Sequence, residues 1–269
     1  MNFLSLGAGV QSSTLALMYA KKELKPLPDF AIFADTQNEP KEVYNWLNWL
    51  ENQLNYPVYR VTKGNLAKNA LIVRTSKKTG KKYISNTIPF FFIKDNKKKG
   101  FLNRGCTLEY KIKPINKFVK NFYKIKHLEK NPIVNRIMGI SIDEITRMTT
   151  SKQKWAKNVY PLIENNMSRN DCIDYFKKNN LPNPPRSACL FCPYHSDNYW
   201  NYLKNNSKSE FEQAIKFDKL AKKAYSKTFW WQNNYSVSVH RSGNLEKFDK
   251  NNSKQLNLFD SECEGICGV

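Results

Sequence analysis

The pattern of apolar and polar positions predicts alternating strands and helices. Short apolar runs typical of buried strands cover residues 2–6, 29–34, 57–61 and 134–138. Apolar residues at helical spacing lie between them, most clearly Val43, Trp46, Leu47 and Leu50. Because strands that alternate with helices favour parallel pairing, the pattern predicts an α/β fold with a doubly wound, mostly parallel sheet.

The loop after the first predicted strand has the composition of a phosphate site. It reads Ser-Leu-Gly-Ala-Gly-Val-Gln-Ser-Ser-Thr from Ser5 to Thr14, and a helical pattern follows it. A strand, a loop of small residues and a helix surround a phosphate with free backbone N–H groups and a positive helix end. Gly7 and Gly9 let the backbone approach the ligand closely. A tight turn is the alternative, because the loop fits neither Gly-x-Gly-x-x-Gly nor the Walker sequence.

Asp35 and Thr36 follow the second predicted strand. In a doubly wound sheet, ligands bind beyond the C-terminal ends of the strands, where the Gly7 loop and Asp35 would both lie. We therefore expect Asp35 to belong to the same site. Its alternative role is to cap the N-terminus of the helix that begins near Glu39 and Pro40.

The next segment is basic and contains one aromatic stretch. Residues 72–84 read as a β-hairpin with Thr79-Gly80 at its turn. Residues 89–93 are too apolar for a loop, and a second basic turn is expected after them. An aromatic strand between two basic tips is typical of a surface that follows a phosphate backbone and stacks a base, although solvated lysines are the alternative. The candidate nucleic-acid residues are Lys77, Lys78, Lys81, Lys82, Lys97, Lys98 and Lys99.

The charge distribution also favours a polyanionic partner. The 269 residues have a formal net charge of +21, and residues 61–130 contain 19 Lys or Arg against 3 acidic residues. A compositional bias toward Lys and Asn is the alternative explanation. We expect no membrane partner and a cytoplasmic location, because no apolar run reaches the roughly 18 residues that span a bilayer and no charged leader precedes the first strand.

Six cysteines in such a chain are expected to be metal ligands or catalytic thiols. Cys189 and Cys192 are two residues apart and Pro193 follows, as in iron–sulfur loops, although a zinc knuckle or a redox pair has the same spacing. Cys106 precedes a helical segment at residues 107–123 that begins among cations, which suits a metal thiolate. Cys172 lies in another predicted helix and is either a further ligand or a small buried apolar residue.

The remaining chain divides into two parts. Residues 198–250 read as a helical, aromatic C-terminal cap on a domain of residues 1–197. Residues 251–269 read as a flexible tail that contains Cys263 and Cys267. Two terminal thiols beside glycines suit either a mobile catalytic pair or a set of ligands.

Several of these motifs resemble one family. Gly7-Ala8-Gly9-Val10-Gln11-Ser12 is similar to the Ser-Gly-Gly-x-Asp-Ser loop of the PP-loop ATP pyrophosphatases and the phosphoadenosine phosphosulfate (PAPS) reductase family. Gly7, Ala8 and Gln11 depart from that loop, where it has Ser, Gly and Asp. Asp35-Thr36 resembles the Asp-Thr that follows the second strand of PAPS reductases.

The later motifs resemble the same family. Residues 106–115 are similar to the Cys-Cys-x-x-(Arg/Lys)-Lys-x-x-Pro-Leu segment of iron–sulfur adenylylsulfate reductases, with Thr107 in place of the second Cys and Tyr110 in place of Arg or Lys. Residues 139–147 resemble the family's Gly-x-Arg-x-x-Glu-Ser segment. The tail resembles Glu-Cys-Gly-Ile-His, whose cysteine is the mobile nucleophile of PAPS reductases.

The resemblance implies an adenine nucleotide alpha-hydrolase-like fold with a basic hairpin insertion and a helical cap. It implies ATP, or an adenylyl-sulfate nucleotide, with Mg²⁺. The nucleotide-binding residues would be Ser5, Gly7, Ala8, Gly9, Gln11, Ser12, Ser13, Asp35, Thr36, Gly139, Asp143 and Glu144. The catalytic residues would be Asp35, Arg147, Cys263 and Cys267. A [4Fe–4S] cluster, with Zn²⁺ as the alternative, would be bound by Cys106, Cys172, Cys189 and Cys192.

Three functions are consistent with these features. In the first, ATP activates a tRNA or DNA as an adenylate, and sulfur from a donor is then delivered. In the second, the chain is a true PAPS or adenylylsulfate reductase, in which Cys263 attacks the sulfonate sulfur and a thioredoxin-like protein is the reductant. In the third, a metal staples a nucleic-acid-binding protein that has no catalytic activity. The basic segment favours the first over the second, and the oligomeric state is not specified by the sequence.

Overall fold

A parallel sheet of five strands forms the centre of the structure, a computed structural model that describes residues 1–95, 97–126, 131–228 and 235–248. The strand order is β3-β2-β1-β8-β9, and all four neighbouring pairs are parallel. This confirms the predicted α/β fold. The described strands are β1 (Asn2–Leu6), β2 (Phe30–Asp35), β3 (Val58–Thr62), β4 (Arg74–Thr75), β5 (Lys82–Tyr83), β6 (Phe91–Lys94), β7 (Lys97–Phe101), β8 (Val134–Met138), β9 (Ala156–Val159) and β10 (Tyr235–Ser238).

Helices cover both faces of the parallel sheet. Alternate residues of β1 explain how: Leu4 and Leu6 pack with α1, α2 and α6, whereas Phe3 packs with α4 on the opposite face. This two-sided burial produces the nearly continuous apolar runs seen in the sequence. The helices are α1 (Val10–Ala20), α2 (Lys41–Glu51), α3 (Leu66–Ala70), α4 (Lys113–Phe122), α5 (Pro161–Glu164), α6 (Arg169–Lys178), α7 (Asp197–Asn206) and α8 (Lys208–Tyr225).

The helix predicted at residues 107–123 has two parts. Thr107–Ile112 forms a π-helix, and α4 continues from Lys113. The apolar pattern predicted the helix but not its wider first part. Single π-helical turns inside helices are frequent at functional sites, and this one directly follows Cys106.

A second core lies outside the parallel sheet. It combines residues of the basic insertion, such as Leu66 and Phe90, with residues of the C-terminal region, such as Trp200 and Val237. An antiparallel sheet in the order β10-β6-β7 and the helices α7 and α8 contribute to it. The insertion and the C-terminal cap, predicted as separate features, therefore share one core.

The antiparallel sheet corrects one prediction. Lys97, Lys98 and Lys99 do not form a turn, because they belong to β7, which pairs with β6. Asp95 adopts a left-handed φ of 49° at the end of β6, and this allows the chain to reverse before Lys97. β7 is an edge strand, where lysines are well tolerated. The first basic tip is a hairpin as predicted, formed by β4 and β5.

Two further predictions concern membrane-spanning helices and the C-terminal tail. Within the described ranges, no helix is long and apolar enough to cross a membrane. The tail at residues 251–269, with Cys263 and Cys267, lies outside the described residues. Its predicted role stays a prediction.

Candidate functional site

The Gly7 loop connects β1 to α1 at the C-terminal edge of the parallel sheet. Gly9 is the N-cap of α1, so the first N–H groups of the helix have no partner within the helix. Ala8 has a left-handed φ of 58°, at the position where the similar family loop has glycine. The chain therefore forms the strand–loop–helix arrangement that binds phosphate, despite the departures in its sequence.

Gly139 explains how the end of β8 meets this loop. A Cβ at Gly139 would lie 2.7 Å from the backbone nitrogen of Ser12 and 2.8 Å from its Cα. No side chain fits there without displacing the loop. β1 and β8 are neighbours and lie where the strand order reverses, which is the usual ligand position in such sheets. The structure thus brings together two of the predicted motifs.

Gln11 joins the same two segments through its side-chain amide. Its Nε2 donates to Ser141 Oγ at 3.4 Å and to Glu144 Oε2 at 3.2 Å. Glu144 also forms a salt bridge with Arg147 at 2.6 Å. Burial raises the pKa of Glu144, and the nearby Arg147 guanidinium opposes that shift. Gln11 therefore fixes the loop to residues 141–147, a contact that Asp at this position could not donate.

The serine side chains of the loop mainly hold its shape. Ser12 Oγ accepts from the Gly7 N–H at 3.2 Å and donates to the Gly9 carbonyl at 3.3 Å. Ser13 Oγ accepts from Trp46 Nε1 at 2.9 Å and is fully buried. Ser5 is also buried, on β1. Backbone N–H groups are consequently the main phosphate donors that this loop offers.

Asp35 and Thr36 lie at the end of β2, the strand beside β1. Asp35 Oδ1 accepts from the Gln37 N–H at 2.7 Å and from Tyr44 Oη at 2.8 Å. Burial raises the pKa of Tyr44, and the Asp35 carboxylate adds to that shift. Pro40, not Asp35, occupies the N-cap of α2, so the capping alternative for Asp35 is wrong.

Asp143 has a structural contact of its own. Its carboxylate accepts from the backbone N–H of Arg169 at 2.8 Å, at the first residue of α6. Asp143 is exposed, whereas Glu144 and Arg147 are only partly exposed. Among the three acidic or basic residues predicted near the nucleotide here, Glu144 has the direct contact with the Gly7 loop.

The Cys189 loop packs against the residues that follow β2. Thr36 Oγ1 lies 3.3 Å from Cys189 Sγ, and the Leu190 N–H donates to the Asn38 carbonyl at 2.8 Å. Cys192 N–H donates to the Cys189 carbonyl at 2.9 Å, which closes a tight turn. The predicted nucleotide motif and the Cys-x-x-Cys motif are therefore adjacent.

A buried ion pair lies beneath this contact. Glu39 Oε1 is 3.7 Å from Lys111 Nζ, accepts from Thr36 Oγ1 at 3.3 Å and receives the Cys189 thiol at 3.6 Å. The Glu39 side chain is fully buried, and its Oε2 has no partner within the described part of the chain. Lys111 belongs to the π-helical turn after Cys106. The pair thus connects the sheet to the second core.

Ser187 contacts the Gly7 loop, and Arg186 directly precedes Ser187 in the sequence. The Ser187 hydroxyl donates to the Gly7 carbonyl, and its Cβ lies 3.7 Å from the position of a Cβ on Gly9. The Arg186 guanidinium lies over the Tyr199 ring at 5.5 Å, and its Nε and Nη2 are buried without partners among the described residues. Buried guanidinium donors require an acceptor, and an anion supplies the strongest one.

The predicted cysteine ligands separate into two groups. Cys189 belongs to the second core and Cys106 packs against it, whereas Cys172 lies in the core between α1 and α6. Burial raises the pKa of the Cys172 thiol to about 11. Within the described ranges, no three His, Cys, Asp or Glu side chains converge on one metal position. The predicted [4Fe–4S] or zinc site therefore stays a prediction, and Cys263 and Cys267 lie outside the described residues.

His195 occupies a buried position beside the Cys189 loop. Its Nε2 donates to the Cys189 carbonyl at 2.9 Å, and its ring stacks on Tyr199 at 4.1 Å. Burial lowers its pKa to about 3, and the Arg186 guanidinium adds to that shift. The imidazole is therefore neutral at physiological pH, with Nδ1 available as an acceptor.

The predicted nucleic-acid residues lie on exposed elements. Lys77 and Lys78 form the turn of the β4–β5 hairpin, while Lys81 and Lys82 follow it. Lys98, on β7, lies over the rings of Phe91 and Phe101. Lys98 therefore lies beside the aromatic residues of β6 and β7, and the predicted role in binding nucleic acid stays a prediction.

No family model matches the chain, and a search of curated proteins finds no significant match. The functional argument therefore depends on the fold and on the contacts described above.

Four residues of this site are not among the predicted site residues. Glu39, Lys111, Arg186 and Ser187 each stand within a few positions of a predicted motif. The available signal for Arg186 and Ser187 was their type, because a basic and a hydroxyl residue stand directly before Ala188 and Cys189. No sequence pattern indicates that Glu39 pairs with Lys111, because 71 residues separate them.

Proposed function

We propose that the chain is a PP-loop enzyme, related to the PAPS reductase family, that binds ATP and activates a nucleic acid. The main support is the Gly7 loop at the reversal point of a parallel sheet, held by Gly139 behind Ser12. Backbone N–H groups at the start of α1 bind the β- and γ-phosphates. The adenosine then lies along the C-terminal edge of β1 and β8.

The proposed reaction is adenylylation. A nucleophile on the nucleic acid attacks the α-phosphorus of ATP, the bond to the bridging oxygen breaks, and pyrophosphate leaves with the bonding electrons. The proton of the nucleophile passes to a base, for which Asp35 at the end of β2 is the candidate. Arg147 is the proposed cation near the nucleotide. Its ion pair with Glu144 connects it to the Gly7 loop, because Glu144 accepts a hydrogen bond from Gln11.

Arg186 supplies the charge that the Gly7 loop lacks. Its two unpartnered nitrogens are buried beside Ser187, which contacts the loop. A phosphate oxygen in this position accepts charge-assisted hydrogen bonds and removes the cost of burying unpaired donors. Magnesium would bind mainly to the phosphates themselves, because it usually keeps several waters and takes few protein ligands.

The nucleic acid binds the basic and aromatic surface of β4–β5 and β7. The exposed lysines supply phosphate contacts and the rings supply stacking. In the proposed second stage, a sulfur donor loads Cys263 as a persulfide, whose outer sulfur attacks the activated carbon while AMP leaves with the bonding electrons. The Cys267 thiolate then attacks the Cys263 sulfur, which releases the thiolated product and leaves a Cys263–Cys267 disulfide for a thioredoxin-like reductant. A [4Fe–4S] cluster, or zinc, would add a redox or structural function through Cys106, Cys189 and Cys192.

Nucleotide binding tests this proposal. Gly9→Val adds a side chain in the phosphate position, where a Cβ meets only Ser187 at 3.7 Å, so the fold persists while ATP affinity falls by a large factor. Gly100→Val is the matched control, because a Cβ there has no neighbour within 4 Å. Calorimetric titration measures affinity, and ATP–pyrophosphate exchange with tRNA or DNA measures activation. Unchanged ATP affinity in folded Gly9→Val contradicts the proposal. If ATP–pyrophosphate exchange does not require nucleic acid and the protein binds adenylyl-sulfate tightly, the reductase function is favoured instead.

A further inference from the structure

A cavity with an aromatic mouth and a polar interior lies beside the Cys189 loop. It measures about 200 Å³ and is bounded by β6, β7, residues 193–197 and residues 240–241. A cavity of about 150 Å³ is enough for one benzene ring, so this cavity has room for a single heterocycle and not for a stack of several. None of the residues assigned above to the nucleotide lines it.

Three aromatic rings form its mouth. Phe101 lies 4.5 Å from Phe91 and 5.6 Å from Tyr194, measured between ring centroids. Phe101 is 46% exposed although it belongs to a strand. Lys98 Nζ lies 4.6 Å above the Phe101 ring, and the Arg104 guanidinium lies 5.6 Å above Tyr194. Rings with cations beside them suit a planar heterocycle attached to a phosphate.

Hydrogen-bonding groups form its interior. Asp197 accepts from Arg241 and lies 3.1 Å from His240 Nε2, and the Asp197 and His240 side chains are buried. His195, 6% exposed, also lines the cavity, and its Nδ1 has no partner among the described atoms. Since His195 Nε2 donates to the Cys189 carbonyl, Nδ1 must be the acceptor. A donor is therefore missing, and the edge of a nucleobase provides one.

We propose that this cavity binds one unstacked base of a single-stranded nucleic-acid substrate, with the base on Phe101 and its edge toward His195. The proposal rests on the proposed function, because it identifies how the nucleic acid is positioned. Contacts continue from His195 to Cys189, and from Cys189 Sγ to Thr36 Oγ1 at 3.3 Å. A base held here places its neighbouring nucleotides at the C-terminal edge of the sheet. Enzymes that modify nucleic acids commonly hold extruded bases by such stacking and edge contacts.

Binding of labelled oligonucleotides by fluorescence anisotropy tests this inference in the full chain. Single-stranded RNA, single-stranded DNA and a duplex of the same sequence are compared, without ATP. Phe101→Ala should weaken single-strand binding about 5- to 150-fold, the effect of losing one stacked base. Phe101→Trp should retain affinity, because it keeps an aromatic face. The preferred single strand identifies the sugar of the substrate.

Phe122→Ala is the matched control. Phe122 is 45% exposed, on α4, and does not line the cavity. Thermal melting checks that both variants are folded. Equal affinities of Phe101→Ala and Phe122→Ala for the single strand overturn the inference. A duplex that binds as tightly as the single strand also overturns it. ATP titration of the same proteins is a separate measurement. Failure to bind ATP contradicts the proposed function, whereas loss of the Phe101 effect contradicts only the base site.

Discussion

The Gly7 loop and the β6–β7 surface both suit anions, but they do so by different means. The loop uses backbone N–H groups, because the Ser12 hydroxyl is bonded to the loop backbone and the Ser13 hydroxyl to Trp46. The β6–β7 surface uses exposed lysines above aromatic rings. Backbone donors require one geometry and one small ligand, whereas exposed cations tolerate many sequences and are screened by salt. Under the proposed function, the loop would be a fixed nucleotide site and the β6–β7 surface an adaptable site for a polymer.

The largest expected effect concerns the buried ion pair between Glu39, which follows β2, and Lys111 of the π-helical turn. Lys111→Met leaves Glu39 charged and buried, so we expect a loss of about 3–5 kcal/mol in the free energy of unfolding. Urea denaturation measures it. The double variant Lys111→Met/Glu39→Leu should recover most of the loss, because it leaves no unpaired charge.

Lys219→Met is the control for this prediction. Its ion pair with Glu246 has both side chains more than half exposed, so the expected change is below about 1 kcal/mol. A loss from Lys111→Met that is no greater than this control would show that the Glu39–Lys111 pair does not stabilise the fold.

Arg186 should distinguish the two anion sites. Arg186→Met should weaken ATP binding by about 1.5–3 kcal/mol, the range for a charged hydrogen bond, and leave oligonucleotide binding unchanged. Stability should not fall, since Nε and Nη2 of Arg186 are buried without partners among the described residues. Calorimetry and anisotropy measure the two affinities. Arg74→Met, on the exposed strand β4, is the control, and equal ATP affinities for both variants would rule out the assigned role.

Single lysine variants test the basic surface of the β4–β5 hairpin and of β7. Lys77→Ala and Lys98→Ala should each weaken oligonucleotide binding less than about tenfold and lower the salt slope by about 1. ATP affinity should not change. Lys22→Ala is the control, because Lys22 is exposed on the loop after α1, at the opposite edge of the sheet. A slope that Lys22→Ala lowers equally would indicate diffuse charge attraction instead of a defined surface.

The smallest effect is expected at Cys172. Burial raises its thiol pKa to about 11, so at pH 8 the thiol stays protonated and should resist alkylation in the folded protein. Cys106 and Cys192 are partly exposed and should react. Mass spectrometry after iodoacetamide treatment measures this. Cys172→Ala should also leave iron or zinc content unchanged, and a loss of metal equal to that in Cys189→Ala would restore Cys172 to the ligand set.

The central sheet was predictable because its strands are buried on both faces. Residues 2–6 and 134–138 match β1 and β8 at both ends. Strand β7 was not predicted, since three consecutive lysines have no alternating pattern and their pairing depends on a turn at Asp95. Local periodicity reports burial, and an exposed edge strand has little of it.

The candidate site was predictable where its motifs are continuous in sequence. The Gly7 loop, Thr36 and Cys189 were identified in advance, and the structure places them in contact through neighbouring residues. Arg186 and Glu39 were missed, because their significance is a buried, unpartnered atom in each side chain. Such a property arises only from packing, and no pattern of residue types along the chain encodes it.

The discontinuous second core has a consequence for the order of folding. Its residues come from two stretches, 66–110 and 189–248, separated by β8, β9 and the helices between them. Strands β1, β2 and β3 can pair within the first quarter of the chain. Phe90, in contrast, can pack only after Phe217 and Tyr225 have been synthesised. Such long-range contacts close slowly. During synthesis, the apolar residues of the insertion therefore stay unpaired until the ribosome has made most of the protein, which makes this segment the one that most needs chaperone protection.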